Sequence, residues 1–273
     1  MLDESEVSFF IHIDAKFDDA IFKKAVGERK NVVFIEPRIK TNWGGFSIVK
    51  ATLALLSEAR SFEPPFQRFC LLSGSDFPIK RNSQIRAAFA SPQEFIRVDR
   101  KLSAPERNTH SRNVEFYWFM DSWSVIKNTL SGRLKRQPYA VINLYHGANW
   151  WALTRDCIDY VFQFLASNSR YYSFFKFTLC SDEIFFHSIV KHSPFAAQIS
   201  HDFETIADLR EFHSANVHGG HYIDWNAKTT TLPKVLDLDD FNRLRDTKAL
   251  FARKFDEEKS GQLVDRLEDL LTR

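Results

Sequence analysis

Cysteine is scarce: Cys70, Cys157 and Cys180 are the only three in 273 residues. An odd count with no Cys-x-x-Cys spacing argues against a disulfide framework and a structural zinc site, and fits a reducing compartment. Net charge is lacking too. With 37 Lys+Arg against 35 Asp+Glu the formal charge is +2, too little for the footprint of a generic nucleic-acid or anionic-membrane binder. No apolar run approaches the roughly 18–20 residues of a spanning helix, and the acidic start Met-Leu-Asp-Glu-Ser-Glu is unlike a signal peptide. The expectation is a cytoplasmic chain with no integral membrane segment. Four motifs are also missing: the phosphate loop, the Rossmann glycine fingerprint, the Gly-x-Ser-x-Gly elbow and the His-Glu-x-x-His helix. P-loop nucleotide hydrolysis, hydride transfer, serine esterase and zincin chemistry thereby lose their usual signatures.

What is present describes a globular protein, 44% hydrophobic and 26% charged, with length for one domain over residues 1–273. The 27 Phe, clustered at Phe174-Phe175 and Phe185-Phe186, predict an aromatic-rich core. Val7–His12 and Asn31–Ile35 read as strands around a helix Ala20–Val26. Gly44-Gly45 opens a helix over Phe46–Arg60, which Pro64-Pro65 ends. Phe66–Leu72 is a third apolar run, emptying into the polar turn Ser73–Asp76. This alternation predicts an α/β fold with a mainly parallel central sheet flanked by helices. Ligands of such sheets bind beyond the carboxyl ends of the strands, where Asp14, Thr41-Asn42-Trp43 and Ser73–Asp76 would gather.

Residues 103–137 turn polar and basic, with Arg107, Arg112, Lys127, Arg133, Lys135 and Arg136 among Tyr117, Trp118 and Trp123; they read as an excursion over the site. A strand over Ala148–Leu153 and a helix from Thr154 or Asp156 to Leu165 follow. A further helix, Asp182–Val190, begins behind Ser181 as N-cap. The C-terminal segment, 221–273, holds a strand-like His221–Trp225 and helices near Asp239–Leu244 and Ser260–Leu271.

Three clusters can carry chemistry. Asp237-Leu238-Asp239 is the kind of carboxylate pair that holds a divalent cation against a diphosphate, but its place just before a helix favours capping. Ser181-Asp182-Glu183, with His187 one turn on, offers either acids complementing a helix dipole or a general base. Arg253-Lys254 is either a solvated pair or, in a cleft, a clamp that neutralises a diphosphate leaving group without a metal. His12, His146, Trp150 and Trp225 individually read as packing.

Taken in order, Ile11-His12-Ile13-Asp14, Thr41-Asn42-Trp43-Gly44-Gly45, Leu72-Ser73 with Asp76-Phe77-Pro78-Ile79, Gly147-Ala148-Asn149-Trp150, Glu183-Ile184-Phe185-Phe186-His187, Ile223-Asp224-Trp225 and Phe251-Ala252-Arg253-Lys254-Phe255 form a family pattern. The chain resembles the core-2/I-branching N-acetylglucosaminyltransferases and, more closely, the peptide O-xylosyltransferases. The resemblance implies a GT-A-type nucleotide-sugar-binding fold. It also implies inverting, metal-independent transfer of xylose or N-acetylglucosamine from a UDP-sugar to a glycan or protein hydroxyl, with no further cofactor. Carried over, Glu183 falls on the catalytic base and Arg253-Lys254 on the diphosphate-binding pair. Asp14, Thr41, Asn42 and Trp43 fall on donor-contacting positions, Asn149 where the xylosyltransferases carry an Asp near the donor sugar, and Lys234 near the diphosphate. Family members usually carry another strand and helix before Asp14, for which 13 residues are too few: either the start codon is misplaced, the chain is a fragment, or donor binding is impaired, and a non-catalytic or impaired sugar-binding relic is the alternative expectation. The eukaryotic relatives are disulfide-bearing Golgi membrane proteins, and the few cysteines here suggest instead a cytosolic, bacterial setting.

Overall fold

The computed structural model describes residues 6–102, 110–122, 124–204, 216–225, 227, 229 and 231–272. Arg107 and Trp123 of the excursion lie outside them.

The chain opens as the apolar runs predict, with β1 (Phe9–Ile11), α1 (Ala20–Val26) and β2 (Val32–Phe34), the strands pairing in parallel with Phe10 opposite Val33. α2 (Ser47–Arg60) buries Val49, Leu56 and Ala59. Its first turn is capped from far away: the Asp121 carboxylate accepts from the Ser47 backbone N at 2.8 Å and from Ser47 Oγ at 2.6 Å. After β3 (Arg68–Cys70), β4 (Phe77–Pro78) and α3 (Asn82–Phe89) come β5 (Glu94–Val98) and β6 (Arg100–Lys101). The excursion contains the short helices α4 (Ser111–Glu115) and α5 (Val125–Leu130). Trp118 Nε1 donates to the Arg112 carbonyl at 3.0 Å, and the Arg112 guanidinium to the Gly132 carbonyl, so this pair stitches the excursion to itself. The remainder runs β7 (Tyr145–His146), β8 (Ala152–Thr154), α6 (Arg155–Ser167), α7 (Ser169–Phe175), α8 (Phe185–Lys191), β9 (Ile199–Asp202), β10 (Val217–His218), β11 (His221–Ile223) and β12 (Phe251–Arg253), with late helices Phe241–Asp246 and Gly261–Thr272.

The expectation of a mainly parallel sheet is corrected. One sheet has the order β3-β8-β5-β9 and a second β10-β11-β12-β4. Among the described strands, β1/β2, β11/β12 and β5/β9 pair in parallel, whereas β3/β8, β5/β8, β10/β11, β12/β4 and β6/β7 are antiparallel. β8 follows the excursion rather than a crossover helix, so it is free to run against both neighbours, which a βαβ unit forbids. The fold is mixed α/β.

The aromatic core forms as expected. Trp151, Tyr171, Phe175, Phe185 and Phe186 are buried in one cluster with Leu153 and Ile158. Tyr171 lies 4.7 Å from Phe175 and 5.1 Å from Phe185, ring centre to ring centre, and its hydroxyl donates to the Phe185 carbonyl at 2.6 Å. α8 is buried on every side from Phe185 to Val190, so whatever precedes it is rigidly mounted.

Candidate active site

Glu183 sits immediately before that buried helix. The expected helix Asp182–Val190 starts later: Ser181–Glu183 is a 3-10 turn and Ile184 (φ −128°) breaks it from α8. Glu183 is thus exposed on one side while its backbone is locked on the other. Its N–H donates to the Cys180 carbonyl at 3.1 Å, and its carbonyl accepts from Gly147 N at 2.9 Å. Gly147 has to be glycine, because a β-carbon there would stand 1.9 Å from the Arg97 carbonyl oxygen.

The imidazole that meets Glu183 is His146, not His187. His146 Nε2 lies 3.3 Å from Glu183 Oε2 and His146 Nδ1 lies 3.3 Å from Asp99 Oδ2. Burial by itself would depress the His146 pKa, but the two carboxylates outweigh it and push it up to about 9. Asp99 is pushed down to about 2: its burial opposes ionisation, and His146 and Arg97 overcome that. Arg97 Nε donates to Asp99 Oδ1 at 2.6 Å. His187 is fully buried, bonded through Nε2 to the Ala148 carbonyl at 2.9 Å, and burial takes its pKa down to about 4. It is a neutral strut for the 147–150 segment. Neither His146 nor Asp99 was visible as a partner of Glu183, since β6/β7 pairing brings them together across distant parts of the chain. Reading His146 as simple packing is corrected accordingly.

The other predicted donor positions adjoin this turn. Asp14 Oδ2 accepts from Thr41 Oγ1 at 2.6 Å and Oδ1 from Lys16 N at 3.0 Å. Burial would raise the Asp14 pKa, and these hydrogen bonds reverse the sign, so it is lowered. Asn42 Nδ2 donates to Asp121 at 3.2 Å. Trp43 projects outward, 79% exposed. Gly44 then ties the loop to the turn that carries Glu183, its carbonyl accepting from Cys180 N at 2.9 Å; Cys180 itself holds a left-handed φ of 48°. Asn149 Oδ1, Ser181 Oγ and Asp182 Oδ1 are buried without a hydrogen-bond partner among the described residues. Burial, reinforced by the charge of Glu183, pushes Asp182 up to about 7.

Arg253 lies at the end of β12, its guanidinium 4.0 Å from the centre of the Trp150 ring and 3.3 Å from Asp76 Oδ1. Trp150 therefore supports a cation, a role not legible in the sequence. Asp76 is almost fully buried; burial raises its pKa, and Arg253 and the Ser73 N–H, at 2.6 Å, pull against that rise. Lys254 is exposed. Lys234 lies beside it through the backbone, Lys254 N donating to the Lys234 carbonyl at 3.4 Å, but its ammonium is bonded to the buried Asp240 at 2.7 Å. Asp237 caps the turn before helix Phe241–Asp246, accepting from Asp239 N at 3.2 Å, which is the capping reading of that carboxylate pair. Trp225 is half exposed.

The segment His146–Trp150 joins the two charged ends. His146 contacts Glu183, Gly147 bonds the Glu183 backbone, and Trp150 carries Arg253. Four residue steps span at most about 14 Å, so one short segment contacts both the carboxylate and the guanidinium. His110, His146 and Glu183 bring possible ligand atoms within 4.8 Å of one another. In this group the His110 ring stacks on His146 with 3.9 Å between ring centres, and the second His146 nitrogen, Nδ1, lies 3.3 Å from Asp99 Oδ2.

No helix among the described residues is long and apolar enough to cross a membrane. Cys70, Cys157 and Cys180 are free thiols. The chain is 24% identical over 271 residues to xylosyltransferase 2 of Mus musculus, covering 95% of this chain and 30% of that protein. It is 25% identical over 275 residues to xylosyltransferase 1 of Rattus norvegicus, covering 96% and 32%. For a xylosyltransferase of Ciona intestinalis the values are 23% over 272 residues, 95% and 30%. The chain thus spans about a third of the length of the curated relatives it matches. A family model described as Core-2/I-Branching enzyme matches residues 1–245, and the chain belongs to this glycosyltransferase family.

Proposed function

We propose that the chain is the catalytic domain of an inverting, metal-independent glycosyltransferase of GT-A type, moving xylose or N-acetylglucosamine from a UDP-sugar to an acceptor hydroxyl. The observation that carries this reading is the His146–Trp150 segment, which holds a carboxylate at one end and a guanidinium at the other. Glu183 accepts the acceptor's proton as its oxygen attacks the anomeric carbon. The carbon–oxygen bond to UDP breaks on the opposite face, and UDP leaves with the electron pair. Arg253 and Lys254 offset the charge that develops on the departing diphosphate. Lys234, paired with Asp240, shapes the backbone beside Lys254 rather than lending its charge.

Asp14, Thr41, Asn42 and Trp43 line the donor side, and Trp43 offers an exposed indole face for stacking. The unpartnered Asn149 Oδ1 and Asp182 Oδ1 are acceptors that sugar hydroxyls would satisfy. The acceptor is a glycan or protein hydroxyl. The decisive experiment incubates the protein with UDP-xylose and UDP-N-acetylglucosamine in EDTA and follows UDP release. Glu183→Gln is expected to abolish release while calorimetry still detects UDP. A strict Mn²⁺ requirement rejects the cationic clamp.

A second reading, a non-catalytic or impaired sugar-nucleotide binder, draws on the ion pairs: Arg253 faces Asp76 and Lys234 faces Asp240, leaving less positive charge for a diphosphate. UDP binding without release from either donor would favour it.

A further inference from the structure

His146 is gripped twice from each side. Asp99 N donates to the His146 carbonyl at 2.7 Å while the Asp99 carboxylate faces the ring at Nδ1. Across the ring, the Glu183 carboxylate faces Nε2 while the Glu183 carbonyl takes the N–H of the next residue, Gly147. The backbone hydrogen bonds thus fix the chain positions from which the ring and the two acids project toward one another. His146 is 12% exposed and Asp99 11%, whereas Glu183 is 35% exposed, so only the outermost carboxylate of this series opens to solvent.

A neutral imidazole has one N–H and one lone pair. Placed 3.3 Å from a carboxylate at both nitrogens, it would turn a lone pair toward one of them; the doubly protonated ring instead hydrogen-bonds Glu183 through Nε2 and faces Asp99 as an ion pair at Nδ1, whose geometry makes no hydrogen bond. We propose that His146 is a positioning residue for the base: an imidazolium that occupies Oε2 of Glu183 and leaves Oε1 for the acceptor hydroxyl. The inference rests on Glu183 being that base. With protons on both nitrogens the ring accepts none, so the proton released by the acceptor stays on Glu183 Oε1. This differs from a serine-protease triad, whose neutral histidine takes the proton itself.

The groups facing the ring are Asp99 and Glu183 at its edges and His110 stacked on its face. Beyond them lie Arg97 behind Asp99, the buried neutral His187, and Asp182 beside Glu183. The carboxylates at the edges outweigh the cationic and stacked neighbours, in line with the raised pKa already described.

The test uses the whole chain with isotope-labelled histidine, the His146 ring signal being assigned by its loss in His146→Gln. Its NMR titration is expected near pH 9 and moves toward 6.5 in both Asp99→Asn and Glu183→Gln. In UDP-xylose turnover, His146→Ala is expected to lower kcat by about 10²-fold, the scale of a misplaced catalytic group, with KM little changed. His146→Gln, which can still donate to Glu183, recovers part of that loss. A ring that titrates at or below 6.5, or that ignores Glu183→Gln, overturns the proposal even if Glu183→Gln is inactive and the base assignment stands. Normal turnover in Glu183→Gln removes the base and the role of His146 with it, whatever the titration shows.

Discussion

Glu183 and Arg253 are each backed by a residue of opposite charge, but the backing differs in depth. Behind Glu183 stands His146, then Asp99, then Arg97, each within 3.3 Å of the next and increasingly buried toward the interior. Behind Arg253 stands one acid, Asp76, held by the Ser73 backbone, with the Ser73 hydroxyl also accepting from the guanidinium and the Trp150 ring on its face. His221 approaches Asp76 at 3.8 Å, but burial takes its pKa down to about 3 and it stays neutral. The alternating series spreads the cost of burying charge over several partners, whereas a single buried pair concentrates it. The Glu183 end is therefore the more heavily braced of the two.

The largest expected effect tests what the braced end is for. Glu183→Gln should lower UDP-sugar turnover by about 10²–10⁴-fold, the range for loss of a general base, measured as initial rate at saturating donor. Next, Lys234→Met should cost about 3 kcal/mol of stability, the low end for breaking a buried pair, because buried Asp240 keeps the Asp237 N–H and the more distant Arg243 at 3.7 Å. Urea unfolding reads that loss, and UDP affinity of the folded protein should stay close to wild type; a large loss of affinity would make Lys234 a diphosphate ligand. Gly147→Ala should cost about 1–3 kcal/mol, since its β-carbon would overlap the Arg97 carbonyl, again read by urea unfolding.

The smallest effect is in pH. His146 has a folded pKa raised from 6.5 to about 9, so its stabilising contribution is complete below pH 6.5 and fades as pH rises through about 9. Asp99, lowered from 3.8 to about 2, contributes above pH 3.8 and loses that contribution as pH falls through about 2. Thermal melting of wild type against His146→Gln between pH 6 and 10 should converge at the alkaline end. Parallel curves would show that the base end is not held by this charge.

Much of the scaffold is legible in the sequence because its elements obey simple periodicities. α1, α2 and α6 appear close to where apolar spacing and the Thr154 cap place them. β5 escapes because Glu94 and Arg97 occupy buried positions and break the apolar pattern; the fold satisfies them with Thr154 and Asp99. At the site, short motifs leave Glu183 and Arg253 open between bland and chemical readings and only the family resemblance singles them out, whereas His146 is passed over by both. Its meaning depends on Asp99 and Glu183 meeting across a strand pair, and neither spacing nor composition encodes that meeting.

Asp121 carries a consequence for engineering. It belongs to the excursion, yet its carboxylate caps α2 and steadies Asn42, and a β-carbon at Gly45 would stand 2.3 Å from its oxygen. A chimera that grafts a foreign 103–137 segment must therefore bring an aspartate to the same place, or the graft will leave the first turn of α2 uncapped and the Asn42 loop unsupported.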